Sequence, residues 1–432
     1  MLSVAKLADA LQSLFTTDAD HAAALTGFVE RKRLWTGPAF AQALVFGWLE
    51  RPDASLERLA SHANTSRQAL DQRFTPQAVD FLGCLLADAI GLALTAIPAA
   101  VPLLRRFDGV YAEDCTTIAL PDSCAAGLPG CGGSTAADGR AALKVYVRYE
   151  VTGGSIAELD YQPGRSPDVT AGQAHCGLPA GSLRLADLGF FDLGLLAAYT
   201  DQGVHWVNRL PAHATVATAK GGPVGVAAFL AGQEGGRIDL PVRVGGNGEL
   251  PCRLLAWRRP PEVAKRRRER LLASARKKGR RVSARQWEMA GWTVFVTDLP
   301  PERLSAAEAW EPYRTRWQIE LLFKRWKGQG GLARSAGQTR ERVLCEVLAK
   351  LLGQVVANWA VLPSGGPLAD FSASKAMQVV QELAGLVRRV VGARALLEAV
   401  LAQLVAEVGR LRPTRRKRRT TRERLLEPSL AA

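Results

Sequence analysis

Cysteine, histidine and methionine are scarce in this chain of 432 residues, at seven, five and three. The cysteines are odd in number, widely spaced and without a Cys-x-x-Cys pair, which argues against a disulfide framework and suits a reducing compartment. Cys124 and Cys131 with His175 match no common zinc spacing, so they read as scattered structural groups, as do His205 and His213. Long uninterrupted apolar runs are missing too. The most membrane-like stretch, residues 81–104, contains Asp88 and is broken by Pro98 and Pro102; a buried helix followed by a loop is expected there. The N-terminal stretch carries Asp9 and no basic n-region, so no secretory signal is expected. These absences point to a soluble, cytoplasmic protein with no membrane partner.

What is present is a globular composition, 47% hydrophobic and 22% charged, which excludes a wholly disordered chain. Positive charge is in surplus: 56 Lys and Arg against 41 Asp and Glu, net +15. The surplus is local. Residues 258–285 hold 13 basic and 2 acidic side chains, residues 410–424 hold 9 and 1, and the rest of the chain is slightly acidic. Charge concentrated in this way suits a polyanion. In the first segment Lys265, Arg266, Arg267 and Arg268 belong to one cluster and Lys277 and Lys278 to another, and Gly279 interrupts the run. Contact with a DNA backbone is expected there, a solvated linker helix being the other reading. The second segment lies in a low-complexity tail, expected to be disordered, that either adds non-specific DNA affinity or is inert.

Hydrophobic spacing divides the chain. Residues 1–105 read as a helical N-terminal domain. Within it Ser55 can cap a helix carrying Leu56, Leu59 and Ala60. His62-Ala63-Asn64 can turn, and Thr65 or Ser66 can cap a second helix exposing Arg67, Gln68, Gln72 and Arg73. This is the layout of a DNA-reading helix-turn-helix, and equally of an ordinary helical hairpin. Residues 106–210 turn to strands at 109–120, 144–151 and 155–161, the last two joined by Thr152-Gly153-Gly154 as a hairpin. A helical segment, a strand at 183–187, a helix at 191–200 and a strand at 204–210 follow. That order is the order of an RNase-H-like α/β core. Residues 211–300 are Gly- and Val-rich, with short strands expected in GGPVGVAAFL, RIDLPVRVGG, CRLLAW and WTVFVTDL. Residues 301–335 and 336–409 read as helical, and 410–432 as the basic tail.

The sharpest pattern is WEPYRTRWQIELLFKRWKG, residues 310–328. Tyr313, Arg316, Glu320 and Lys327 stand there at offsets that bring them within about 60° of one another on a single helix. One face then carries a phenol, a guanidinium, a carboxylate and an ammonium. A solvated helix with Arg–Glu pairs has this look, and so has a metal-binding Glu flanked by phosphate-holding cations. Asp114 in one strand and Asp187 at the end of another are the acids that an RNase-H-like sheet sets side by side. Two Asp and one Glu can hold two divalent ions about 4 Å apart for in-line attack at phosphorus, and carboxylate oxygens suit Mg²⁺ or Mn²⁺.

Tyr-x2-Arg-x3-Glu-x6-Lys is the signature of a large branch of bacterial insertion-sequence transposases of the DDE class, and Tyr313, Arg316, Glu320 and Lys327 match it. Asp114-Cys115-Thr116 resembles that family's Asp-x-Thr strand. Ala186-Asp187-Leu188-Gly189-Phe190 resembles its second-Asp motif, with Leu188 where Arg is frequent. Thr297-Asp298-Leu299-Pro300 is similar to its Thr-Asn-Leu-Pro stretch. The resemblance implies that residues 211–300, within the 132 residues between Asp187 and Glu320, are a β-rich insertion. The expected fold is therefore α+β: an RNase-H-like core (106–210 and 301–335), a helical N-terminal domain, a β-rich insertion and a helical C-terminal region. It implies Asp114, Asp187 and Glu320 as catalytic metal ligands for two Mg²⁺ or Mn²⁺ ions, and Tyr313, Arg316 and Lys327 as phosphate-binding residues. It also implies cut-and-paste transposition on double-stranded DNA (terminal inverted repeats and target), by a homodimer in a synaptic complex. The alternatives are a catalytically silent DNA-binding relative and an RNase-H-like nuclease without strand transfer.

Neutralising the basic residues of both segments is expected to flatten the slope of log affinity against log salt for DNA binding. An unchanged slope in a filter-binding titration contradicts the assignment of the charge to DNA.

Overall fold

The computed structural model describes residues 2–29, 35–131, 141–219, 221–366, 368, 371–411 and 421–426. The strands are β1 (Val110–Ala119), β2 (Ala142–Glu150), β3 (Ile156–Pro163), β4 (Leu183–Ala186), β5 (His205–Arg209), β6 (Thr215–Thr218), β7 (Gly221–Gly225), β8 (Arg237–Val244), β9 (Leu250–Arg258) and β10 (Trp292–Thr297). The first nine helices are α1 (Val4–Ser13), α2 (Ala19–Leu25), α3 (Gly37–Glu50), α4 (Leu56–Ser61), α5 (Arg67–Asp71), α6 (Pro76–Gly91), α7 (Asp168–Ala174), α8 (Leu193–Asp201) and α9 (Val226–Ala231). The others are α10 (Pro261–Lys277), α11 (Ala284–Met289), α12 (Ala306–Thr315), α13 (Trp317–Lys327), α14 (Arg340–Val361), α15 (Ala373–Val390), α16 (Arg394–Arg410) and α17 (Thr421–Leu426). The class is mixed α+β. The chain forms two compact units, one of residues 1–100, 114–166 and 317–419, the other of residues 101–113, 167–316 and 420–432.

In the first unit, helices from both ends of the chain share a core. Thr36 and Thr75 cap α3 and α6 through their side-chain oxygens, and each cap is followed by a proline in the first turn, where a missing N–H costs nothing. α14 packs on α3 and α6, α15 on α3 and α16, and α1 on α16. Phe15 meets Phe46 at 4.6 Å and Phe28 stacks on Phe81 at 5.1 Å. Boundaries drawn at 105 and 336 follow chain order; this unit crosses both. α6 ends at Gly91, and no helix or strand is assigned over 93–100. Among the described residues, the helix long and apolar enough to cross a membrane is instead Arg340–Ser364, and its apolar window is wholly buried within the protein.

α14 carries a buried ion pair. Lys350 Nζ lies 2.7 Å from Glu346 Oε1 and donates to the carbonyls of Gly331 (3.2 Å) and Arg334 (2.7 Å). Glu346 in turn accepts from Ser335 Oγ at 2.9 Å and from Ala336 N–H at 3.2 Å. This pair helps to hold the loop that leaves α13. Gly331 in that loop has φ +60, and a Cβ there would come within 2.5 Å of the Pro52 side chain, so glycine is required. β2 and β3 form the expected hairpin, and Glu150 accepts the Thr152 and Gly153 amides at its turn. Every residue of β2 is buried, so its period-two pattern does not separate core from solvent: both faces are covered.

In the second unit the strands lie in the order β1 (residues 110–113), β4, β5, β10, β9, β8, β6, β7. β4 pairs in parallel with β1 and with β5, and the remaining pairings are antiparallel. Register runs Val110↔Leu183 to Glu113↔Ala186 and Leu183↔His205 to Ala186↔Asn208. The order of elements, three strands, helix, strand, helix, strand, is the one read from the sequence. Residues 211–300 extend this sheet, because β10 pairs directly with β5. Asp298 fixes the junction: its carboxylate meets His205 Nδ1 at 2.7 Å and accepts the Trp206 N–H at 2.8 Å.

Three readings need correction. VAAFLA, expected as strand, is helix α9; Val226, Ala227 and Leu230 form its buried face, a helical spacing that overrides β-propensity. The helix of residues 310–328 is divided at Arg316. Pro312 lies in α12, and its carbonyl is taken by Thr315 Oγ1 at 2.6 Å. The Arg316 N–H therefore bonds one residue short, to Tyr313 O at 3.2 Å. The tail also contains structure: α17 packs on α12 with Leu425 2% exposed. Residues 412–420 and 427–432 of the tail lie outside the described residues.

Removing one partner of a buried pair leaves an uncompensated charge. Lys350→Met is expected to cost about 3–5 kcal/mol, read by chemical denaturation, and to speed hydrogen exchange in residues 331–337.

Candidate active site

In the first unit, Asp114 is a half-buried residue of β1 whose Oδ1 accepts the Cys115 N–H at 2.8 Å. Glu320 lies in the first turn of α13 and is also half-buried. Lys327, the last residue of α13, donates from Nζ to the Thr117 carbonyl at 2.8 Å. The helix that carries Glu320 is thus fastened to the strand that carries Asp114. Burial pulls the Lys327 ammonium below the usual lysine range.

In the second unit, Asp187 follows β4 and opens a short 3-10 turn, Leu188–Phe190, closed by Phe190 N–H on the Asp187 carbonyl at 3.1 Å. Its side chain is 39% exposed and stands 3.7 Å from the Arg209 guanidinium. The Tyr313 hydroxyl donates to its Oδ1 at 3.4 Å. Tyr313 is buried against Phe295, with ring centroids 4.4 Å apart. Burial, and then the charge of Asp187, push its phenol well above the usual tyrosine range, against the opposing effects of Arg316 and Arg209. The Arg316 guanidinium lies over the Tyr313 ring at 5.8 Å. α12 is anchored beneath them by a reciprocal Ser305–Glu308 cap and by Arg106, 2.7 Å from Glu308.

Two arginines at this place were not picked out as site partners by the sequence. Arg209 ends β5, and Arg267 reaches inward from the basic helix α10. Burial lowers the Arg267 pKa and the nearby Arg209 and Arg270 lower it further, while Asp187 opposes them. Arg209, Arg267 and Arg270 rim a cleft floored by Leu188, Leu210 and Trp292. A usable signal for Arg209 existed: ligands of open sheets bind beyond the carboxyl ends of parallel strands, and Arg209 occupies such an end. Among the described residues, no cluster of three or more His, Cys, Asp or Glu side chains is close enough to hold a metal. The structure thus brings Tyr313 to Asp187 and Lys327 to the Asp114 strand.

The Transposase DDE domain family model matches residues 105–354. The chain belongs to the DDE transposase family. It is 26% identical over 361 residues to the transposase for insertion sequence element IS231B of Bacillus thuringiensis subsp. berliner, covering 77% of this chain and 74% of that protein. It is 23% identical to the transposase for insertion sequence element IS1151 of Clostridium perfringens, covering 78% and 76%. It is 35% identical over 154 residues to the putative transposase InsL for IS186A of Escherichia coli K12, covering 34% and 42%.

The other DNA-binding candidates of this DDE transposase divide by exposure. Ser55 and Ser66 cap α4 and α5, and Asn64 turns between them with φ +49. Arg67, Gln68 and Gln72 are exposed, and Arg67 pairs with Glu57 at 2.9 Å. Arg73 is turned inward: it donates to the Phe28 carbonyl at 2.6 Å and lies 4.5 Å over the Phe28 ring. Lys265, Arg266, Lys277 and Lys278 are exposed, whereas Arg268 stacks on Trp287 at 5.0 Å.

The phenol reports on its neighbours. Removing an anion that raises a pKa lowers it, and removing a cation that lowers it raises it. In a ¹³C-tyrosine NMR titration, Asp187→Asn is expected to bring the Tyr313 transition down, and Arg209→Ala to move it up.

Proposed function

We propose that this DDE transposase moves an insertion sequence by cut-and-paste transposition, with Asp114, Asp187 and Glu320 as the catalytic carboxylates that bind two Mg²⁺ or Mn²⁺ ions in an RNase-H-like core. The observation that carries the reading is the setting of Asp187: a part-exposed carboxylate at a strand end, met by a phenol at 3.4 Å and a guanidinium at 3.7 Å, with Arg267 lining the adjoining cleft. β1 and β4 run in parallel register up to Glu113 and Ala186, and Asp114 and Asp187 are the residues that come next in the chain. This supports reading Asp114 and Asp187 as partners. Three carboxylates offer hard oxygen donors, which are what these ions take. When bound, the ions would activate the attacking water or 3′-hydroxyl and stabilise the leaving oxygen.

The chain's own groups hold the DNA. Arg316, Arg209 and Arg267 grip phosphate oxygens beside the scissile bond, with guanidinium forks matched to that geometry. Tyr313, whose phenol stays protonated, has one O–H; with DNA bound it passes from Asp187 to a terminal phosphate oxygen. An ammonium has three N–H donors; Thr117 takes one of those of Lys327, and phosphate takes another. The exposed cations of α10 and the α4–α5 hairpin bind the flanking duplex of the terminal repeats, and two copies pair the element's ends.

The test is cleavage of a duplex carrying the element's own ends with Mg²⁺. Asp114→Asn, Asp187→Asn and Glu320→Gln are each expected to fall to background while still binding DNA. Arg316→Ala is expected to cost about 10²–10³-fold in rate. Cleavage that survives Glu320→Gln defeats the catalytic assignment. Hydrolysis without joining of a pre-cut 3′-end identifies a nuclease instead.

A further inference from the structure

We propose that Arg184 is the positioning residue of Asp187: its guanidinium sets the turn and the cation that hold the carboxylate in place. The proposal rests on the reading of Asp187 as a metal-binding residue. Arg184 lies on β4, three residues before Asp187, and is 0% exposed, as is Glu113. Its Nε and Nη2 stand 2.8 and 2.7 Å from Glu113 Oε2. Nη1 reaches Asn208 Oδ1 on β5 at 3.4 Å, and the Tyr199 hydroxyl donates to the other oxygen of Glu113 at 3.3 Å. The face of the guanidinium covers Tyr199 at 4.8 Å and Phe190 at 5.9 Å.

Two routes lead from this group to Asp187. Phe190 closes the turn that Asp187 opens, through its N–H on the Asp187 carbonyl. Asn208 is followed at once by Arg209, which faces the Asp187 carboxylate at 3.7 Å. A single planar cation therefore ties β1 to β4, touches β5, and braces the residues on either side of the carboxylate. Stability alone is a weak reason for such a pair, because buried ion pairs are often replaced by apolar residues without loss. Metal-binding carboxylates, by contrast, depend on the groups that orient them, and loss of such support lowers affinity or activity about 10–100-fold. A lysine supplies charge without the planar fork that reaches Glu113, Asn208 and Phe190 together.

Two variants of the full chain carry the test: the paired replacement Glu113→Leu with Arg184→Met, which leaves no unpaired charge, and Arg184→Lys, which keeps the charge. Mn²⁺ binding is followed by electron paramagnetic resonance of free Mn²⁺, cleavage of the element-end duplex by gel, and folding by melting temperature. The expected result is a folded protein whose Mn²⁺ affinity falls about tenfold and whose cleavage falls about 10–100-fold at saturating metal. Parental affinity and cleavage in either folded variant overturns the proposal. If the paired variant does not fold, Arg184→Lys decides by the same two measurements. Asp187→Asn separates the two readings: if it cleaves normally, the assignment of Asp187 falls, and if it is inactive while the Arg184 variants are normal, only the positioning role falls.

Discussion

Arg184 carries a full charge into a part of the sheet that water does not reach, and Glu113 meets it there with 0% exposure on both sides. Parallel strands have no hairpin to fix their register, so something between them must. The Glu113–Arg184 pair adds a polar tie between β1 and β4 to the apolar pattern that sets their register. Asn208, in contact with the same guanidinium, extends the constraint to β5. β10 then adds to β5 in antiparallel register, with Asp298 clasping the start of β5. The rest of the second unit's strands follow outward from that seam. A misplaced register here would turn every side chain of a short strand such as β4 to the wrong face.

Much of this was legible in the sequence, for local reasons. The hairpin turn at Thr152-Gly153-Gly154, the caps at Ser55 and Ser66, and the strands leading to Asp114 and Asp187 are set by a few adjacent residues. The break at Arg316 was less so. Pro312 and Thr315 are both visible, but a proline near a helix start is usually harmless, and the outcome depends on one hydroxyl taking one carbonyl. Helix α9 escaped because Gly and Val surround it and it is short. Arg209 and Arg267 escaped for a different reason. Arg209 reaches Asp187 because β5 pairs with β4, and Arg267 joins the cleft of Arg209 and Leu188 from α10; no spacing along the chain encodes either placement. The catalytic carboxylates were read from motif and resemblance, and their joint role is a proposal.

The charge distribution gains a finer division. Sequence shows a basic segment at 258–285 and treats its cations alike. In the structure Lys265 and Arg266 face solvent, Arg268 is stacked on Trp287, and Arg267 is half-buried in the cleft that Arg209 also lines. Neighbouring residues on one helix thus have separate environments, because successive side chains point about 100° apart. One basic helix thus presents some of its cations to solvent and holds others against the protein.

The burial of α14 from Val343 to Ala360 bears on how the protein is made. This helix is apolar on nearly every side, and its partners α3 and α6 end by residue 91. During synthesis the N-terminal helices emerge roughly 250 residues before the segment that covers them, which at about 5–20 residues per second is a wait of some tens of seconds. Through that interval their apolar faces are open to other nascent chains and to chaperones. The first unit therefore closes its core only after α14 has been made. The order of the helices along the chain thus sets when this core can form.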